Sequence, residues 1–205
     1  MPDRAMLHLV AADGADLAGA PIPGAATVTV MQRDPACFHG AESPFAVALE
    51  TEAGDRADLL EIVEMLAPLI DAERSMAIVG TDRIFIAPPE PTPVRYQYLM
   101  HRRSDFTHEA YLARYESIHS EFGLRTPNLE GYVQLHIDLD ASRDLGEAAG
   151  LRAAPCDSMS ELHLRSVEHF VEGILARPEV GAEATEDEER FVDRPRSFGF
   201  AHRLV

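Results

Sequence analysis

Positive charge is scarce in this chain. Eighteen Lys plus Arg residues stand against 35 Asp plus Glu, giving a formal net charge of -17 and a pI near 4.8. Such a field repels phosphates and anionic lipid headgroups, so no nucleic-acid and no membrane partner is expected. Cysteine is nearly absent. Cys37 and Cys156 lie in different halves, outside any C-x-x-C spacing, which argues against a disulfide framework or a structural zinc site and fits a reducing cytoplasm. Either thiol would need an activating base to act as a nucleophile. No run approaches the roughly 18 apolar residues of a membrane span. The first 20 residues carry only a short apolar stretch before Asp13, without the h-region of a secretory signal, so the expected location is cytoplasmic. Glycine-rich phosphate loops, the G-x-S-x-G elbow and nucleotide fingerprints are all missing, and no organic cofactor is expected.

What remains is the composition of a globular protein, 46% hydrophobic and 26% charged over 205 residues. That length suits two units of about 100 residues each. The clearest boundary is residues 87–93, APPEPTP, where closely spaced prolines fix φ and remove donors, favouring an extended linker. The expected division is a first half at 1–87, a linker at 88–93 and a second half at 94–205.

In the second half, residues 94–102 (VRYQYLMHR) read as a strand. Thr107 is the expected N-cap of a helix whose Tyr111, Tyr115, Ile118 and Phe122 form one stripe, with Gly123 as a left-handed stop. Residues 131–139 alternate strictly as a strand, a loop is expected over 140–157, and residues 158–164 form a third strand. Ser166 caps a second helix ending at Pro178, Thr185 and Glu188 suggest a capping box for a short turn, and residues 197–205 read as a closing strand. The order β-α-β-β-α-β is the ferredoxin-like arrangement. The first half reads as strands near residues 6–11, 27–32 and 45–50, a helix after Asp55, and a last strand within 75–86. It is a degenerate copy lacking its first helix. The expected fold is α+β, two tandem ferredoxin-like halves whose uncovered sheet faces meet within one chain or across a dimer.

Alternation selects the chemistry-bearing residues. With Val133, Leu135, Leu162 and Leu164 turned to the helices, Gln134, His136, Glu161 and His163 are expected to face a common lumen, where imidazoles and a carboxylate could shuttle protons. Tyr132 shares the face of His136 and could donate to a substrate oxygen. A metal reading rests on the alternating His136, Asp138 and Asp140 joined by His163, a spacing that is no specific signature, and no metal is expected.

Several stretches resemble the EthD family of dimeric α+β barrel proteins: RRSDFTHEAYLARYESIH (102–119), PNLEGYVQLH (127–136), SELHL (160–164) and DEERFVD (187–193). The resemblance covers residues 94–205. It implies a ferredoxin-like dimeric α+β barrel, a homodimer and a small organic ligand. It places the family's helix-end histidine on His119, its strand histidine on His136 and its strand glutamate on Glu161. Glu121 stands where the family usually has a proline. His119, His136 and Glu161 are the expected catalytic residues, and Tyr115, Tyr132, Gln134 and His163 the expected substrate-binding ones. The expected function is cofactor-independent isomerase, cyclase or dehydratase chemistry on an apolar, ring-containing metabolite. The alternatives are a non-catalytic binding or accessory protein of a catabolic pathway and a cofactor-free monooxygenase.

Overall fold

The computed structural model describes residues 3–22, 27–34, 43–89 and 91–205, and Cys37 lies outside them. The first half supplies β1 (Arg4–Leu9), β2 (Thr29–Arg33), β3 (Val47–Glu52), α1 (Arg56–Leu66) and β4 (Met76–Ile86). After the proline-rich segment come β5 (Val94–Met100), α2 (His108–Arg114), a π-helical turn (Tyr115–His119), α3 (Ser120–Arg125), β6 (Gly131–Ile137), α4 (Leu139–Ala149) and β7 (Arg152–Ala153). The chain ends with β8 (Ser158–Leu164), α5 (Val167–Ala176), α6 (Pro178–Glu188) and β9 (Phe198–Leu204).

Eight strands close into an antiparallel barrel in the order β1-β3-β2-β9-β5-β8-β6-β4, with β4 returning to β1. Each half contributes its fourth, first, third and second strand in turn, and closure removes every edge of the barrel. The barrel is therefore completed within one chain. The short β7 adds in parallel to β4 outside the ring.

Side-chain hydroxyls start two helices where the sequence suggests, whereas Asp55, expected to cap the first-half helix, stands at the start of α1 without a side-chain capping bond. Thr107 accepts from the Ala110 amide and Ser166 from that of His169. Three further expectations need correction. The segment expected to be a loop at 140–157 contains α4, which Asp138 caps by accepting from the Ala141 amide and Gly150 closes at φ 67°. Helix α4 packs beside α1 on β4, supplying the first half's sheet with a second helix. Residues 185–188 are the last turn of α6, so no capping box forms there. Gly123 is not a left-handed stop, since the helix continues to Arg125. It is a close-approach site: a Cβ there would lie 2.2 Å from the Tyr132 ring.

Strand registers fix which residues look inward. Val133 pairs with Glu161, Leu135 with Met159 and Gly131 with His163, and directly opposed residues in an antiparallel ladder share a face. Following these pairs around the ring places Met6, Ile78, Leu99, Leu135, Met159 and Phe200 in one apolar cluster inside the barrel. The helices cover the outside. Helices α1 and α4 bury Leu7, Leu49 and Val79, α5 buries Val94 and Leu164, and Tyr111, Tyr115 and Phe191 pack against Met100.

Candidate active site

The expected lumen set does not come together. Glu161 and His163 face the barrel interior with Val133, whereas Tyr132, Gln134 and His136 face outward under the helices. Val133 thus looks into the lumen, the reverse of its expected direction. Within the barrel, the Glu161 carboxylate accepts from Arg4 at 2.7 Å, Gln97 Nε2 at 2.7 Å and His163 Nε2 at 3.1 Å. Arg4 also reaches Asp82 and Glu50, and Arg95 holds Glu50 at 2.9 Å. Burial alone would raise the Glu161 carboxyl, but the charges of Arg4 and Arg95 override it and hold the group well below the usual carboxylate range. A carboxylate so fixed is a poor proton carrier. Gln97 Oε1 takes the Nε2 hydrogen of His8 at 2.9 Å and the Nδ1 hydrogen of His202 at 3.3 Å. Arg4, Glu50, Asp82 and His8 come from the first half and Arg95, Gln97, Glu161, His163 and His202 from the second, so this knot ties the halves together.

The outward cluster has freer chemistry. A π-helical turn interrupts the helix at residues 115–119, a feature common at functional sites, and carries Tyr115 and His119 against the sheet. His119 Nδ1 donates to Asp187 Oδ2 at 3.1 Å, and Asp187 is also ion-paired with Arg114. This bond leaves the His119 Nε2 lone pair available, 3.8 Å from Glu188 Oε1. Burial keeps His119 below its ordinary value despite Asp187. Burial also pushes Glu188 up to about 7, because Arg194, 3.5 Å away, offsets only part of the cost and Asp187 adds to it. Neutral imidazole and protonated carboxyl therefore coexist at neutral pH.

Tyr96 and Tyr98 on β5, with Ser160 and Leu162 on β8, occupy the centre of the same outer face and stay partly accessible, while Tyr132 and Gln134 beside them are buried. The charge of Glu188 acts on Tyr96, Tyr98 and Tyr132. The outer face of the second-half sheet thus carries an acid–base pair at one side and partly accessible phenols beside it. Gly199 makes room for the Tyr96 ring, since a Cβ there would meet its hydroxyl at 1.9 Å.

Of the residues expected from sequence, His119 and Tyr115 stand together here, their rings stacked at 5.8 Å. Tyr132 accepts from Gln134 Nε2 at 2.7 Å, and Gln134 also donates to the Tyr115 carbonyl. His136 lies beyond Tyr115, with ring centroids 5.9 Å apart, and burial lowers it to about 4. Asp187, Glu188 and Arg114 were not anticipated. The DEERFVD stretch was the signal for Asp187 and Glu188, but it reads as a surface turn until α6 is folded over the sheet. Asp138 is occupied as a cap and Asp140 pairs with Arg143, and among the described residues no three His, Cys, Asp or Glu side chains group as a metal ion requires. Burial raises the Cys156 thiol to about 12, removing it as a nucleophile. Among the described residues no helix is long and apolar enough to cross a membrane.

No curated protein matches the chain. Solved structures share its fold along the whole chain. An anthrone oxidase-like protein aligns with TM-score 0.60 and 8% identity over 100% of this chain and 91% of its own. A proposed monooxygenase from Lactobacillus acidophilus NCFM gives 0.51 and 11% over 100% and 93%, and a chlorite dismutase mutant from Candidatus Nitrospira defluvii in complex with cyanide gives 0.53 and 9% over 100% and 90%. At such identities the likeness is one of fold, that of the dimeric α+β barrels. The EthD domain model matches residues 103–195, the segment that runs from α2 through α6 and holds His119, Asp187 and Glu188. Residues 103–195 of this chain are thus similar to the EthD domain.

Proposed function

We propose that the protein is a small-molecule enzyme that moves protons on an apolar, ring-containing metabolite bound in the cleft between the second-half sheet and its helices. The observation that carries this reading is the pairing of His119 with Glu188, 3.8 Å apart, one a free base and the other an acid near neutrality. His119 Nε2 would withdraw a proton, Asp187 would stabilise the imidazolium through Nδ1, and Glu188 would return a proton at a second atom. Tyr98 or Tyr96 would hold a substrate oxygen. A base and an acid side by side suit isomerisation, cyclisation or dehydration, and none of these steps consumes a cofactor. In this reading the catalytic pair is His119 with Glu188. Glu161 and His163 serve the barrel, and His136, Gln134, Tyr132 and Tyr115 support the cleft wall.

A second reading is favoured by the neighbours named as monooxygenase and anthrone oxidase-like. The same base could ionise a substrate that then supplies electrons to oxygen. The architecture is also consistent with tandem ferredoxin-like units divided at residues 88–93, and a homodimer would use outer surfaces, since the barrel is already closed. To test the main reading, ring compounds and lactones would be screened for thermal stabilisation and each hit incubated in D₂O. Solvent deuterium should enter the substrate, under nitrogen as under air. Turnover that stops under nitrogen would favour the oxygenase, and ligands that bind without exchange or product would leave an accessory binding protein.

A further inference from the structure

The barrel interior changes character along its length. Around Arg4 it is charged, whereas around Val10, further along the same segment, it is lined by Phe45, Met76 and Phe198. There the barrel opens into a cavity of about 270 Å³ that also touches Arg74 and Arg152. Phe45 and Phe198 form its aromatic wall, with centroids 6.2 Å apart and planes inclined by 32°. This wall is already held in place, because Phe45 also packs on His8 at 5.1 Å and on Phe200 at 5.0 Å. At the rim, Arg74 lies 3.7 Å from Asp71 with its side chain 59% exposed, and Arg152 donates to a neutral carbonyl, that of Glu73, at 3.3 Å. Arg74 is thus shared with Asp71, and Glu73 also lines the rim, whereas Arg152 is held through that neutral carbonyl and turns its guanidinium to the mouth without an ion pair among the described residues.

We propose that this mouth is a second small-molecule site, separate from the proton-transfer cleft, for a single-ring aromatic carboxylate. The volume sits just under the roughly 300 Å³ where small-molecule pockets begin, which limits the occupant to about one ring. The ring would lie against Phe45, Phe198 and Met76. The carboxylate would meet Arg74 and Arg152, whose planar donors match it in bidentate fashion.

The probe is benzoate, titrated calorimetrically into the full chain, with its neutral analogue benzyl alcohol alongside and the Met76 methyl followed by NMR. One equivalent of benzoate should bind saturably, shift the Met76 methyl, and exceed benzyl alcohol in affinity by about tenfold or more. Arg152→Ala should weaken benzoate about tenfold, Ala153→Phe should abolish binding by filling the cavity, and Glu188→Gln should leave it unchanged. No saturation below about 10 mM, an unmoved Met76 methyl, or equal affinity for benzyl alcohol would overturn the proposal. Loss of binding in Glu188→Gln with retention in Ala153→Phe would also overturn it, by moving the ligand to the other cleft. Should Ala153→Phe not fold, the Met76 shift in the unaltered protein and the Arg152→Ala titration decide the matter.

Discussion

At the scale of single residues, the site is made by burial acting on ordinary groups. Glu188 is a surface-type glutamate in composition, yet at the end of α6 burial pushes its carboxyl up to about 7, out of the usual carboxylate range. Its native form binds a proton that its unfolded form has already lost between roughly pH 4.5 and 7, so the stability linked to this group falls as pH rises through that window. Glu188→Gln should therefore gain on the parent protein by about 2 kcal/mol on going from pH 5 to pH 8, read from denaturant melts. A gap between the two proteins that does not change with pH would refute the shift. In turnover the same variant should lose about 10²-fold or more, while His136→Ala should lose far less. His136 was expected to be catalytic because alternation set it opposite the apolar face. It does face away from Leu135, but Tyr115 stands between it and His119, and its imidazole stays neutral at physiological pH.

At the scale of elements, close packing sets the costs. Tyr132 of β6 lies flat against the helix where Gly123 has no side chain, so Gly123→Ala forces a methyl into the ring at 2.2 Å and should destabilise by about 1–3 kcal/mol despite the better helix propensity of alanine. Asp138→Ala removes the cap of α4 and should cost about 1 kcal/mol, measured by thermal melting. Helix α4 was hidden in the sequence because only Ser142, Leu145 and Gly146 of its 11 residues are buried, too thin a stripe to stand out as periodicity. The strands were legible, since Gly131–Ile137 carries Tyr132, Val133 and Ile137 and alternates with period 2, and Leu162 and Leu164 of Ser158–Leu164 share one face.

At the scale of the whole molecule, the charge knot inside the barrel adds to the β2–β9 and β4–β6 ladders in coupling the two halves. Removing one partner of a buried pair leaves uncompensated charge, so Arg4→Ala should cost about 3–5 kcal/mol as Glu161, Glu50 and Asp82 lose their shared cation. A loss under 1 kcal/mol would show the knot to be dispensable. Acid should also loosen the protein. Burial lowers His8 to about 4, His136 to about 4 and His202 to about 3, so each is kept neutral in the fold but charges near 6.5 once unfolded. Their contribution is complete above about pH 6.5 and is lost as pH falls toward 4. Glu188 and Asp82, raised to about 7 and 6, oppose this with the reverse sign. The three imidazoles outweigh the two carboxyls, and the melting temperature should drop from pH 7 to pH 5. The Glu188→Gln variant, lacking one of the opposing groups, should drop more steeply.

The sequence by itself determined the barrel strands, the starts of α2 and α5 and the resemblance over residues 94–205, because these depend on local propensity, side-chain capping and period, all written along one stretch of chain. The place of His119 on a helix laid against the sheet was legible in the same way. Which residues share a space was not. Alternation shows that Glu161 and His163 lie on one side of β8 and that Gln134 and His136 lie on one side of β6, but not whether those sides coincide. That depends on register, and a ladder that sets Val133 opposite Glu161 turns the two pairs to opposite faces of the sheet. The tertiary structure also decided that Glu161 is a fixed ion while Glu188 is a titrating one. Both are glutamates in sequence, and only folding places one between two arginines and buries the other at the end of α6 beside Asp187.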